Sequence, residues 1–231
     1  MDGLWTVGLE SMKVISFAAT KGGTGKTTLC YNVAMHVAKK HQVLLADLDP
    51  QRSLKDLWER RSEMINPRLV SNIANMAQSL QLLKEAGLER EYLFVDTPGS
   101  FIQAVRDIVA CSHLIVLPVQ PGHLDLIAQE DLAAVIAEMG MDDRAMFVIN
   151  RVEASSSLTK KAQSHLARFS SNPIMEVGNR VAYMRASATG KAGCEINKTV
   201  AKEIEQLWDA MKAVMAAKPQ RVGDHHEQRL H

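Results

Sequence analysis

Residues Ala19-Thr20-Lys21-Gly22-Gly23-Thr24-Gly25-Lys26-Thr27-Thr28, ATKGGTGKTT, decide the fold of this 231-residue chain. They follow a β-branched run, Lys13 to Ala18, and open a helical pattern, Lys26 to Lys39, so they read as strand, glycine-rich turn and helix. The backbone N–H groups of such a turn wrap an anionic phosphate, and the helix N-terminus adds partial positive charge. Lys26 is expected to reach the β- and γ-phosphates and the Thr27 hydroxyl to ligate magnesium. The loop departs from the usual G-x-x-x-x-G-K-[ST] pattern: Thr20 stands where the first glycine should be, and Lys21 is an added cation five residues before Lys26.

Outward from the loop, short apolar runs alternate with helix-length segments. Strands are predicted at Lys13 to Ala18, Gln42 to Asp47, Tyr92 to Asp96, His113 to Pro118, Arg144 to Asn150 and Pro173 to Val177, with a further short one at Arg68-Leu69-Val70. Helices are predicted near Lys26 to Lys39, Ser53 to Ser62, Ala74 to Ala86, Phe101 to Ala110, Leu124 to Glu138 and Ser157 to Phe169. Runs such as Val43-Leu44-Leu45-Ala46 and Leu114-Ile115-Val116-Leu117 are continuously apolar, as expected when both faces of a sheet are covered. The fold class that follows is α/β: a doubly wound, mostly parallel sheet with helices on both faces, in three layers. A last helix from about Ile196 to Ala217 spaces Ile196, Val200, Ile204, Leu207 and Met211 so that one face docks on the domain, and Pro219 stops it.

The organisation is one domain, residues 12–217, with an extension at 1–11 and a polar tail at 218–231. Its 46% apolar and 23% charged content is that of an ordinary globular protein. No apolar run approaches the roughly 20 residues of a membrane helix, and no secretory signal pattern opens the chain, so a cytoplasmic location is expected. Cys30, Cys111 and Cys194 have no C-x-x-C spacing, which argues for buried thiols over a zinc site or a disulfide frame. The His225-His226 pair reads as part of a solvated tail.

In an open parallel sheet, ligands bind beyond the carboxyl ends of the strands, and the remaining polar motifs fall there. Asp47-Leu48-Asp49-Pro50-Gln51 ends the second strand, with two acids on the same side; that spacing suits a metal's water shell and an attacking water, or a helix cap ahead of Pro50. The run YLFVDTPGS puts Asp96 just past buried hydrophobics, where a carboxylate holds magnesium through water or through the loop threonine, and Thr97-Pro98-Gly99 turns near the γ-phosphate. Asn150, at the end of MFVIN, reads either as a contact to a purine edge or as a turn former.

The set KGGTGKTT, LLADLDPQ, FVDTPG and PVQPxxLD, in this order, resembles the ParA/MinD group of deviant Walker ATPases, closest to small ParA partitioning proteins without an N-terminal DNA-binding domain. Residues 179–193 also resemble the segment those proteins place after their last strand. The resemblance implies a P-loop NTPase fold with ATP and Mg2+ as cofactors, held by Gly22, Gly23, Thr24, Gly25, Lys26, Thr27 and Thr28 with Asn150, and with Thr27, Asp47 and Asp96 at the metal. It implies that Lys21 reaches across an ATP-sandwich homodimer to the partner's phosphates, that Asp49 orients the attacking water, and that hydrolysis is slow until a ParB-like or ribbon-helix-helix adaptor stimulates it.

The family also implies non-specific DNA binding by the ATP dimer, hence nucleoid association, through basic residues late in the chain. Residues 1–150 carry 14 Lys+Arg against 18 Asp+Glu, a balance of −4, whereas residues 151–221 carry 12 against 6, a balance of +6. That asymmetry fits a polyanion partner as well as a solvated basic surface. Arg180, Arg185, Lys191, Lys198 and Lys202 are the candidates for phosphate contact, although Arg185 stands where the commonest relatives carry an acid. The expected function is segregation of a cargo, most of all a plasmid; the alternatives are a protein cargo such as a chemotaxis cluster or carboxysome, or a MinD-like membrane-surface role. The membrane role is disfavoured by Glu205 and Asp209 in the last helix and by the polar tail.

Overall fold

The computed structural model describes residues 12–61, 66–70, 75–99, 102–153 and 156–217. The expectations for 1–11 and 218–231, and for the helix ends at Ser62, Ala74 and Phe101, lie outside them. Seven strands are described: β1 (Lys13–Phe17), β2 (Val43–Asp47), β3 (Arg68–Val70), β4 (Tyr92–Asp96), β5 (Leu114–Val119), β6 (Ala145–Val152) and β7 (Met175–Gly178). They form one sheet in the order β3-β2-β4-β1-β5-β6-β7, every neighbouring pair parallel. The helices are α1 (Lys26–Val37), α2 (Ser53–Glu59), α3 (Met76–Glu85), α4 (Ile102–Ala110), α5 (His123–Glu138), α6 (Ser157–Leu166), α7 (Val181–Ser187), α8 (Gly193–Ile196) and α9 (Lys198–Ala216).

Successive strand residues serve opposite faces, which is why central strands such as β4 and β5 are continuously apolar. Ile15, Phe17, Val43, Leu45, Phe94, Val116 and Val148 pack under α1 and α9. On the other face Val14, Leu44, Ala46, Leu93 and Val95 meet α3, while Ile115, Leu117, Phe147 and Ile149 meet α4, α5 and α6. The sheet is thus the middle of three layers, as expected.

The last helix begins two residues later than its apolar spacing suggested. The Asn197 side chain accepts the Val200 N–H at 3.0 Å and caps α9, an arrangement worth about 1 kcal/mol. Ile196 therefore falls in α8 and is 46% exposed, so its expected place on the docking face is corrected. Val200, Ile204, Leu207, Trp208, Met211 and Val214 do the docking, and Trp208 sits edge-on to Tyr92 at 5.1 Å between ring centres. Cys30 and Cys194 are buried thiols, as read, whereas Cys111, just past α4, is only half-buried; no described helix is long and apolar enough to cross a membrane.

Candidate nucleotide site

The winding direction reverses at β1, where the loop between β1 and α1 emerges beside the ends of β2, β4, β5 and β6. Gly23 and Gly25 have φ of 80° and 98°, a left-handed conformation that side-chain-bearing residues resist. At Gly25 a Cβ would also lie 2.0 Å from the Asn150 Nδ2. The loop's carbonyls are tied to the scaffold: Asn150 Nδ2 donates to Thr24 O at 2.8 Å and Gln120 Nε2 to Gly23 O at 2.8 Å. Because C=O and N–H point oppositely across a trans peptide, these bonds turn the N–H groups of Thr24 and Gly25 away from Gln120 and Asn150. Thr20 is part of the same bracing. Its hydroxyl donates to Ala128 O in α5 at 2.7 Å, a bond that a glycine cannot make, and Gln129 Nε2 donates to Ala18 O at 3.0 Å.

The acids converge on the loop's helix. Parallel pairing puts Asp96 beside Phe17 on one side and Asp47 on the other. The Thr27 hydroxyl donates to Asp96 Oδ2 at 2.6 Å, while Asp96 Oδ1 and the Thr24 hydroxyl are buried with no partner among the described residues. Burial pushes the Asp96 carboxyl up to about 7, with the Asp47 and Asp49 charges adding to the rise, while Lys26 and the Thr27 hydroxyl oppose it. An orphaned carboxylate oxygen next to a threonine hydroxyl matches what a hydrated divalent cation requires.

Lys26 is only 7% exposed and its ammonium lies 3.5 Å from Asp49 Oδ2. Gly99, in the turn after β4, closes over this pair: a Cβ there would sit 3.4 Å from Lys26 Nζ and 3.7 Å from Asp49 Oδ2. Asp49 Oδ1 accepts the Gln51 N–H at 3.0 Å. Asp47 is differently employed. Its oxygens accept the N–H groups of Asp49 at 3.1 Å and Lys55 at 2.8 Å, so it pins the turn and the first turn of α2; burial raises its pKa against those bonds.

Lys21 stands apart from Lys26. Its side chain is 44% exposed and its ammonium pairs at 2.9 Å with Asp125 Oδ1 in the first turn of α5. Beyond the loop, a cavity of about 310 Å³ is lined by Gly25, Thr28, Asn150, Arg151, Tyr183 and neighbours, in the place expected for a base. Arg180 and Lys191, read from sequence as DNA contacts, also line it. Arg180 is further committed to Glu203 of α9, with Nη2 to Oε1 at 2.6 Å. Arg185, Lys198 and Lys202 are exposed.

Sequence reasoning took Thr20 only as a departure from the glycine pattern, passed over Gln129 and Arg151, and quoted Gln120 and Asp125 only as parts of a motif. Arg151 follows Asn150 with φ of 56°, its N–H bonded to Asn150 Oδ1 at 2.9 Å. The signal for Gln129, a polar residue inside an apolar helical stripe, was present but has no fixed spacing to the loop.

A strand-loop-helix phosphate cradle, two strand-end acids beside it and a covered parallel sheet define a P-loop nucleotide-binding protein. Residues 15–193 match the family model of the CobQ/CobB/MinD/ParA nucleotide binding domain, and the chain belongs to that family, whose ParA/MinD members are P-loop ATPases. Among its relatives is the maintenance of carboxysome distribution protein A of Halothiobacillus neapolitanus, 28% identical over 206 residues that cover 84% of this chain and 93% of that protein. Protein ParA of Rhizobium radiobacter is 27% identical over 130 residues, 55% of this chain and 57% of that protein. A solved structure of a plasmid partition protein from Borrelia burgdorferi B31, bound to AMPPNP, shares the fold with a TM-score of 0.71 over 87% of this chain and 98% of that one, at 18% identity.

Proposed function

We propose that this chain is an ATP-hydrolysing positioning protein that pairs with a second copy across bound ATP, binds DNA without sequence preference in that state, and places a cargo. The buried Thr27–Asp96 pair, whose other carboxylate oxygen has no partner among the described residues, carries the reading together with the Lys26–Asp49 contact beside it.

In this reading the loop from Gly22 to Thr28 and Lys26 hold the phosphates, and Thr27 with Asp96 holds Mg2+, which neutralises charge on the phosphate oxygens when bound. Asp49, fixed between Lys26 and the Gln51 N–H, presents a carboxylate oxygen that can accept a hydrogen bond from the attacking water. Asp47 contributes by fixing the segment that carries Asp49. Lys21 rests on Asp125 of its own chain, and the trans role has it move to the partner's phosphates, which makes hydrolysis depend on pairing. Asn150, bonded to Thr24 O, braces the loop and borders the base cavity. Residues 12–217 act as one domain, and a ParB-like or ribbon-helix-helix adaptor stimulates turnover.

For DNA, Arg185, Lys198 and Lys202 are the contacts we favour, because Arg180 and Lys191 border the nucleotide cavity. The cargo expectation shifts. The carboxysome-distribution relative spans most of both chains, which favours a protein assembly over the plasmid first expected, with the plasmid as the second reading on the strength of the ParA relative. The nucleoid is then the track, and the protein is cytoplasmic. Sedimentation with plasmid DNA, ATP and Mg2+ at low salt tests the DNA half: association with ATP and not with ADP is expected, and equal pelleting with either nucleotide overturns it.

A further inference from the structure

The nucleotide cleft has two walls that the sheet does not join. Ser53, Asp56 and Leu57 of α2 with Arg60 just past it form one, Ser187 at the end of α7 and Ala188 form the other, and the phosphate loop is the floor of a volume of about 480 Å³. Helix α2 follows β2 and α7 follows β7, strands on opposite sides of β1, so no strand pairing joins the two walls directly. Side chains at the rim do.

Arg61, just past α2, meets Glu195 of α8 through two parallel bonds, Nη1 to Oε2 at 2.6 Å and Nη2 to Oε1 at 2.9 Å. Each side chain is about one-fifth exposed, at 20% and 21%, which shields the pair more than an open surface bridge. Glu195 Oε2 also accepts the Ala192 N–H at 2.6 Å. The Gly190 carbonyl accepts twice, from the Tyr31 hydroxyl of α1 at 2.6 Å and from Arg61 Nη1 at 3.3 Å. Gly190 has φ of 67°, and a Cβ there would sit 2.8 Å from both Arg60 Cβ and Leu57 O, so its backbone lies directly on the end of α2. Tyr31 also lines the adjoining 310 Å³ cavity.

We infer that Arg61 and Glu195, with Gly190 between them, form a clasp that holds the α2 and α7 walls together over bound nucleotide and so sets how long the nucleotide stays. They are positioning residues: neither lines the cleft or reaches the phosphate loop, and the segment they restrain does. The inference rests on reading this cleft as the nucleotide site. Entry or exit past the rim requires the bidentate pair to part, whereas chemistry at Asp49 and Asp96 does not.

Stopped-flow fluorescence of the full chain with a methylanthraniloyl-ATP analogue and Mg2+ tests it. Arg61→Ala and Glu195→Gln are each expected to speed dissociation about tenfold, with the single-turnover rate of bound ATP within about twofold of wild type. The exchanged pair Arg61→Glu with Glu195→Arg is expected to recover slow dissociation, and Gly190→Ala, which keeps both charges, to speed it. Wild-type dissociation in the single variants, even with a lowered melting temperature, overturns the clasp and leaves the pair a stabilising bridge only. A wild-type chain that binds no analogue instead brings down the nucleotide site itself.

Discussion

The phosphate side and the basic C-terminal third hold their charges by opposite means. Around the loop, Lys26 is 7% exposed and Asp96 fully buried, and each has a stated partner. On α7 and α9 the side chains of Arg185, Lys198 and Lys202 stand exposed. A buried charge is tolerated only where its partners are placed to tenths of an ångström, so the motif that encodes it also encodes its geometry. An exposed charge costs little in many positions, so the sequence specifies a field more than a constellation.

The largest test of that contrast is Lys26→Ala. It removes the cation among Asp49, Asp96 and the phosphates, and calorimetric titration is expected to show at least a hundredfold loss of nucleotide affinity, about 3 kcal/mol; a loss under fivefold breaks the assignment. Next is pH. With its carboxyl raised to about 7, Asp96 keeps its proton below that value and must give it up to share a divalent cation. Mg2+-nucleotide affinity should therefore climb about tenfold from pH 6 to 8, following the ionised fraction, and Asp96→Asn should be weak and flat across that range. The same shift has a cost: the native carboxyl binds its proton more tightly than the unfolded one, so its contribution to apo stability falls as pH rises from the ordinary aspartate range toward 7.

Lys21→Ala sharpens the comparison from within the loop, because this lysine is half outside the buried set. Turnover should drop about tenfold with nucleotide affinity unchanged within about threefold, and wild-type turnover per subunit should rise with protein concentration. An affinity loss matching that of Lys26→Ala would put Lys21 on its own phosphates. The smallest effect belongs to the surface: Lys198→Ala with Lys202→Ala should lower the slope of log affinity for DNA against log salt by about 2 while nucleotide binding stays the same. A lost nucleotide site in that double variant would mean the two regions are not separable.

Much of this was legible before folding was considered. Strand β4 runs Tyr92–Asp96 as read, because an apolar run covered on both faces has few alternatives, and the three-residue edge strand β3 also falls at Arg68–Val70. The end of the last helix was misjudged since an apolar spacing continues through a cap: Ile196 keeps the period, and Asn197 nonetheless takes the N-cap. Asp47 was legible as an acid at the end of β2, yet its bonds to the N–H groups of Asp49 and Lys55 depend on how the chain turns after that strand. The bracing of Thr20 by Ala128, across 108 residues, has no local trace at all.

The sequence by itself determined the phosphate loop, the acids at the strand ends and the covered parallel sheet, because each follows from interactions between near neighbours or from an unbroken hydrophobic run. Tertiary structure decided what the long-range side chains do: that Thr20 braces a helix where a glycine was expected, that Lys21 rests on Asp125, that Arg180 bonds Glu203 and lines the cavity beside the loop, and that Arg61 meets Glu195 over the cleft. These pairings join elements brought together only by the strand order, and a side chain's partner is set by that packing, which no local spacing records.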